Sequence, residues 1–202
     1  KFNFKIQQYQ TDAVESVIKV FNGQKFHKNT GYIRDLGTIE KSTAVQLTFD
    51  GEEEPDIYND TGFKNDEIEL TDEQLLENIT KIQKKSNIKV SPNLVKDLGR
   101  CQLDIEMETG TGKTYVYIKT MFELNKRYGW TKFIVVVPSI AIREGVKKTF
   151  EITAEHFHEH YGKKARFFVY NSSNLTQLDS FSSNGGINVM IINTQAFATS
   201  LK

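Results

Sequence analysis

The chain has one cysteine, Cys101, among 202 residues, so no disulfide can form within it. No signal peptide is visible, nothing else points to secretion, and a reducing cytoplasm is the expected setting. No apolar run approaches the ~18 residues of a spanning helix, so no membrane association is expected. Neither sign of charge is in excess: 26 Lys and Arg balance 26 Asp and Glu. That argues against a strongly basic nucleic-acid module, though not against a local groove that tracks phosphates. No internal repeat, low-complexity tract, nucleophile–base triad or pair of catalytic carboxylates is evident. What remains is an ordinary soluble composition, 38% hydrophobic and 26% charged. The length suits one domain with an elaboration. The chain begins with Lys1 rather than Met, as a piece of a longer protein would.

The most informative stretch is Met107-Glu-Thr-Gly-Thr-Gly-Lys-Thr114. A short apolar segment, Cys101–Glu106, precedes it and reads as a strand. The segment from Lys113 to Leu124 follows and reads as a helix. Strand, Gly-rich turn and helix opening at Gly-Lys-Thr form the context in which a phosphate-binding loop is credible. A helix N-terminus carries unpaired N–H groups and partial positive charge. Gly110 and Gly112 let successive N–H groups converge on one anion. Lys113 would reach the outer phosphates, and the Thr114 hydroxyl would coordinate Mg²⁺. Met107 stands where the usual pattern has its first glycine.

Around this loop the chain divides into three stretches. Residues 1–24 hold a helix whose stripe runs through Ile6, Tyr9, Ala13, Val14, Val17, Ile18 and Phe21, with Asn22-Gly23 as its stop. Gln7, Gln8 and Gln10 lie beside aromatic residues there. A Gln amide offers donor and acceptor to an adenine edge, and an aromatic can stack on the base; a polar helix face is the plain alternative. Residues 25–98 read as an inserted α+β elaboration. A strand over 43–49 is expected to pair with 32–36 or 37–39. An acidic turn covers 50–56. A second helix over 71–90 carries a capping box, Thr71-Asp-Glu-Gln74, and stops at Ser91-Pro92.

From residue 99 strands and helices alternate. Lys132–Pro138 is a continuous apolar run, expected to be a strand buried on both faces. Ser139 caps the next helix, which continues towards Tyr161-Gly162. Arg166–Tyr170 and Ile187–Asn193 read as further strands, with a short helix near Leu175–Phe181 between them. Repeated β-α-β units imply an α/β fold: a parallel sheet with helices on both faces, incomplete, with a small α+β insertion before the phosphate loop. His156 and His160 share a helix face at a spacing that could bind a metal, though a polar face is the default.

Taken together, these blocks resemble the restriction (Res) subunits of type III restriction-modification enzymes, superfamily-2 ATPases of the helicase type with RecA-like motor domains. The resemblance rests on Leu103–Thr114, Phe122–Asn125, Phe133–Gly145 and Val189–Phe197, in order and spacing, together with Tyr9-Gln10. It implies ATP and Mg²⁺ as cofactors, with the nucleotide bound by Tyr9, Gln10, Thr109, Gly110, Thr111, Gly112, Lys113 and Thr114. With this resemblance the adenine-reading role of Gln10 overtakes the polar-face alternative. It implies contacts from Pro138, Ser139 and Arg143, and from Thr194 and Gln195, to the backbone of double-stranded DNA, and a methyltransferase (modification) subunit as partner. Such motors also need an acidic motif, usually Asp-Glu-x-His, whose Asp holds Mg²⁺ and whose Glu orients water. No Asp-Glu pair lies in residues 100–202. The second motor domain and the nuclease domain are missing as well. The expectation is therefore the N-terminal part of a Res subunit, with residues 99–202 forming the first part of motor domain 1, and little activity alone. The rival readings are another superfamily-2 motor, such as a type I restriction subunit or repair helicase, and a nucleotide-binding module without catalysis.

Overall fold

The computed structural model describes residues 4–28, 30–33, 61–97, 99–173 and 175–200. In chain order the elements are α1 (Gln8–Val20), β1 (Thr30–Ile33), β2 (Thr61–Lys64), α2 (Asp72–Lys85), α3 (Lys113–Tyr128), β3 (Lys132–Val137), α4 (Ile140–Tyr161), β4 (Arg166–Val169), α5 (Leu175–Ser183), β5 (Asn188–Asn193) and α6 (Thr194–Ser200). The last three strands form a parallel sheet in the order β3-β5-β4. Lys132 and Arg166 both stand opposite Asn188, and Val137 stands opposite Asn193. The central strand is β5, and its Val189, Ile191 and Ile192 are almost fully buried.

Helix α3 lies between two apolar cores. Val116, Leu124 and Tyr128 pack against Val14, Ile18, Val20 and Phe21 of the α1 region. Ile118, Met121 and Phe122 pack towards the sheet and α4, against Val137, Phe157, Val189 and Ile191. Phe122, Phe157 and Tyr161 stack in series, with centroids 4.9 Å and 5.1 Å from Phe122. The helix ends at Gly129, whose left-handed φ of 81° suits glycine and whose N–H bonds the Asn125 carbonyl. A Cβ there would fall 1.9 Å from the His27 carbonyl oxygen, so chain 25–28 can pass only because residue 129 is Gly. Helix α4 is capped by Ser139, whose Oγ accepts from the Ile142 N–H at 3.3 Å, and it closes at Gly162.

Three expectations change. The stretch 101–106 forms no strand: it has no ladder partner among the described residues, and its Gln102 N–H donates to the Val95 carbonyl. A strand exists only through hydrogen bonds to a neighbour, and the β3-β5-β4 sheet does not reach this segment. β3 is not buried on both faces. Among the described residues it is an edge strand, with Phe133, Val135 and Val137 turned to the core and Ile134 and Val136 left 51% and 44% exposed. The helix expected over 71–90 stops at Lys85, because Asn87 adopts φ 55°, well before Ser91-Pro92. Gln83 then clamps the returning chain through both the N–H and Oγ of Ser91. β1 pairs with β2, antiparallel, with Thr30 opposite Lys64. Residues 34–60, including the expected strand over 43–49, the alternative pairing at 37–39 and the acidic turn, lie outside the described residues.

The middle stretch is bound to the rest by side-chain amides that satisfy backbone groups. Asn65 accepts from the N–H groups of Thr131 and Lys132 and donates to the Lys132 carbonyl, all at 2.7–2.9 Å. Gln24 bridges Glu67 and Glu69 in the same way. Asn78 caps the end of α1 through the carbonyls of Val20 and Asn22. Leu70 and Leu75 share the core of Val14 and Val116. The capping box is present as expected, Thr71 and Gln74 each bonding the other's backbone N–H.

Phe157 is fully buried in the aromatic stack. Phe157→Ala is expected to destabilise the chain by about 3–5 kcal/mol in urea unfolding. Ile152→Ala, on the exposed side of α4, should change stability far less.

Candidate phosphate-binding site

The loop before α3 has the backbone that its glycines foretold. Gly110 and Gly112 have φ of 83° and 87°, the left-handed region in which a side chain is strained. Gly112 is the N-cap of α3, and its carbonyl accepts the first helical bond, from the Val116 N–H. Nothing lies within 4 Å of a Cβ built on Gly110, so the loop faces open space there. The ammonium of Lys113 turns back over the loop and donates to the carbonyls of Met107 and Glu108. The Thr111 hydroxyl donates to the Glu108 carbonyl at 2.6 Å, tightening the turn. Thr109 is exposed and Thr114 lies in the first turn of α3, beside Tyr117. Burial pushes the Tyr117 phenol up, while the Thr114 hydroxyl pulls the other way. A helix N-terminus and the Lys113 ammonium are groups that could hold a triphosphate, and the Thr114 hydroxyl is one that could hold its Mg²⁺.

Residues distant in sequence meet this loop. Gln10 Nε2 donates to the Thr111 carbonyl at 3.0 Å, and the Tyr9 hydroxyl donates to the same oxygen at 3.3 Å. A Cβ on Gly112 would fall 2.6 Å from Gln10 Nε2, so the glycine also makes room for the glutamine. Tyr9 remains about half exposed. The contact is set by α1 lying against α3, and Glu15 of α1 pairs with Arg127 of α3 at 2.5 Å.

The other candidates form a separate group. Pro138 and Ser139 follow β3, and Thr194 and Gln195 follow β5. Since Val137 stands beside Asn193, these two turns lie side by side at the C-terminal end of the sheet. All four residues are exposed. Arg143, on the first turn of α4, pairs with its neighbour Glu144 at 3.0 Å. α3 begins at the loop and ends just before β3 begins, so it runs against the strands. The glycine-rich loop therefore lies towards the same end of the sheet as the two turns.

Some participants left little trace in the sequence. Asn193 caps α6 by accepting from the Ala196 N–H at 3.0 Å. Tyr115, on α3, shares a hydrogen bond of 2.9 Å with His156 Nε2, and Phe4 packs against both rings. The His156–His160 pair thus serves contacts within the helix layer, and His160 Nδ1 meets the His156 carbonyl. Among the described residues no group of three or more His, Cys, Asp or Glu could hold a metal ion, and no helix is long and apolar enough to cross a membrane.

The class defined this far is a mixed α/β protein with a parallel sheet and a glycine-rich loop at a helix N-terminus. Residues 65–202 match the family described as "Type III restriction enzyme, res subunit", and the chain belongs to that family. It is 40% identical over 110 residues to the EcoPI Res subunit of Escherichia phage P1, a match covering 54% of this chain and 11% of that protein. It is 38% identical over 117 residues to the EcoP15I Res subunit of Escherichia coli, again over 54% and 11%. Against the StyLTI Res subunit of Salmonella typhimurium the identity is 47% over 64 residues, 31% of this chain and 6% of that one. The matched stretch amounts to about a tenth of the length of the first two relatives.

Two outcomes follow from the geometry. Gly112→Ala is expected to destabilise by about 1–2 kcal/mol through its left-handed backbone, and to displace Gln10. Gln10→Ala alone should destabilise by about 0.5–1.5 kcal/mol, but close to nothing in the Gly112→Ala background; a urea double-mutant cycle measures the coupling. Burial holds His156 below the ordinary imidazole value, with His160 adding to the effect. The fold therefore favours neutral His156, and that stability is present above about pH 6.5 and lost as pH falls through the depressed value. Melting temperature should drop more steeply below pH 6.5 in the parent than in His156→Gln.

Proposed function

We propose that this chain is the ATP-binding part of the restriction subunit of a type III restriction-modification system, built on an incomplete RecA-like sheet. The observation that carries this reading is the bond from Gln10 to the Thr111 carbonyl. It joins an adenine-reading candidate to the phosphate loop across a sequence separation of 101 residues. A loop that bound an isolated anion would have no need of such a group.

On this reading the helix N-terminus and the N–H groups of Thr109 to Thr114 cradle the phosphates. Lys113 leaves the carbonyls of Met107 and Glu108 and turns to the outer phosphates, so its ground-state contacts act as a placeholder. Thr114 holds Mg²⁺, which when bound neutralises the charge of the triphosphate oxygens. Gln10 reads the adenine edge, with Tyr9 beside it. Pro138, Ser139, Arg143, Thr194 and Gln195 track the backbone of double-stranded DNA, contacts that carry no base sequence, as a moving or switching motor requires. The family membership supports a whole protein that cleaves unmodified DNA with ATP and acts with a methyltransferase subunit. No Asp-Glu pair lies in residues 100–202 that would help hold Mg²⁺ and orient water. This chain should therefore bind ATP weakly and hydrolyse it negligibly.

The test is hydrogen exchange of residues 107–114 with and without Mg·ATP. Protection is expected in the parent. Lys113→Ala should weaken binding by roughly tenfold or more, the scale of a charge-assisted hydrogen bond. Absence of protection at saturating nucleotide would overturn the ATP reading. Robust turnover abolished by Lys113→Ala would overturn the reading of this chain as half of a site.

A further inference from the structure

A second cleft opens at the other end of the sheet. Its volume is about 400 Å³, and it lies where β3, β4 and β5 begin. Lys28, Lys163 and Lys164 line it, together with Phe26, Thr131 and the Gly185-Gly186 backbone, and no carboxylate is among the lining residues described. Lys28 has no hydrogen-bond or ion-pair partner among the described residues. Lys163 is positioned rather than loose: its ammonium donates to Asn125 Oδ1 at 2.9 Å, and the buried Asn125 is itself fixed by donating to the Trp130 carbonyl. Two of the three ammonium hydrogens of Lys163 remain for another acceptor. Lys164 pairs with Glu155 at 3.1 Å, an exposed contact of the kind that yields readily to competition.

Thr131 supplies an independent observation. It is only 2% exposed. Its N–H meets Asn65 and its carbonyl accepts from the Asn188 N–H at 2.7 Å, yet its buried hydroxyl has no partner. A buried hydroxyl left over in the lining of a lysine-bearing cleft calls for an explanation. Helix α3 ends at Gly129, which lines the cleft, and α4 ends at Gly162, just before Lys163. Each helix end contributes roughly half a negative charge, which Lys28 and Lys163 together exceed, Lys164 being paired with Glu155. Low-dielectric walls lined by one sign of charge concentrate counter-ions. The exposed Phe26 ring, 55% accessible, offers a flat surface beside them.

We propose that this cleft is a second anion site, which takes the phosphate of a nucleotide unit, free or within a DNA strand. It is separate from the phosphate loop: the 16 residues of α3 hold the two apart by ~24 Å. It does not depend on the ATP reading of the loop.

The experiment uses the whole ¹⁵N-labelled chain carrying Lys113→Ala, so that the loop contributes least. Inorganic phosphate, thymidine 5′-monophosphate and a short DNA duplex are titrated at matched ionic strength. The amides of Lys163, Gly185 and Gly186 are expected to shift with phosphate. Lys28→Gln with Lys163→Gln, which leaves a donor for Asn125, should weaken binding roughly tenfold while the remaining spectrum is unchanged. If that double variant unfolds, Lys28→Gln alone must still weaken binding. Equal binding of mononucleotide and duplex per phosphate assigns a free nucleotide. Duplex binding with a steep salt slope, and a weak mononucleotide, assigns a strand. The proposal fails if these amides do not move, if chloride moves them equally, or if the lysine variants bind phosphate as tightly as the Lys113→Ala chain does.

Discussion

The structure depends on one helix being buried from two sides. α3 presents Val116, Leu124 and Tyr128 to the N-terminal helix and Ile118, Met121 and Phe122 to the sheet and α4. Burying a large apolar side chain stabilises by about 1.5–3 kcal/mol, so two such faces hold the helix far more firmly than its intrinsic propensity could. The glycine-rich loop is the lead into this helix.

The same packing assembles the site from three parts of the chain. α1 lies on the outer face of α3, which brings Gln10 and Tyr9 to Thr111. The middle stretch is tied in differently, by amide side chains doing the work of strand neighbours. Asn65 closes the open N–H and carbonyl groups around Lys132, where β3 starts. Buried backbone groups must find partners, and here a single side chain satisfies three. Lys132 completes this corner: it donates to the carbonyls of Phe181 and Asn184 at the end of α5, and burial pulls its ammonium down to about 8.

Local chemistry was readable wherever neighbours in sequence decide it. The capping box at Thr71 and Gln74, the Ser139 cap, the glycine stop at Gly162 and the left-handed Gly110 and Gly112 are all of this kind. The apolar run 132–137 announced a strand but not its place, because an edge strand and a central one differ in their neighbours, not in themselves. The segment 101–106 shows the same limit: its composition favours a strand, and without a partner it makes no ladder. The end of α2 was misjudged because Pro92 is a conspicuous breaker, whereas the left-handed turn at Asn87 acts earlier.

The sequence by itself determined the loop, its helix and the family, since glycines at fixed offsets before Lys113-Thr114 encode a backbone shape with no help from elsewhere. Only the tertiary structure decided that Gln10 touches that loop, that His156 is held by Tyr115, and that Lys28, Lys163 and Thr131 share a cleft. Those pairings join residues far apart in the chain. They are fixed by which helix faces bury together, and such burial is a property of the assembled layers rather than of any stretch read alone.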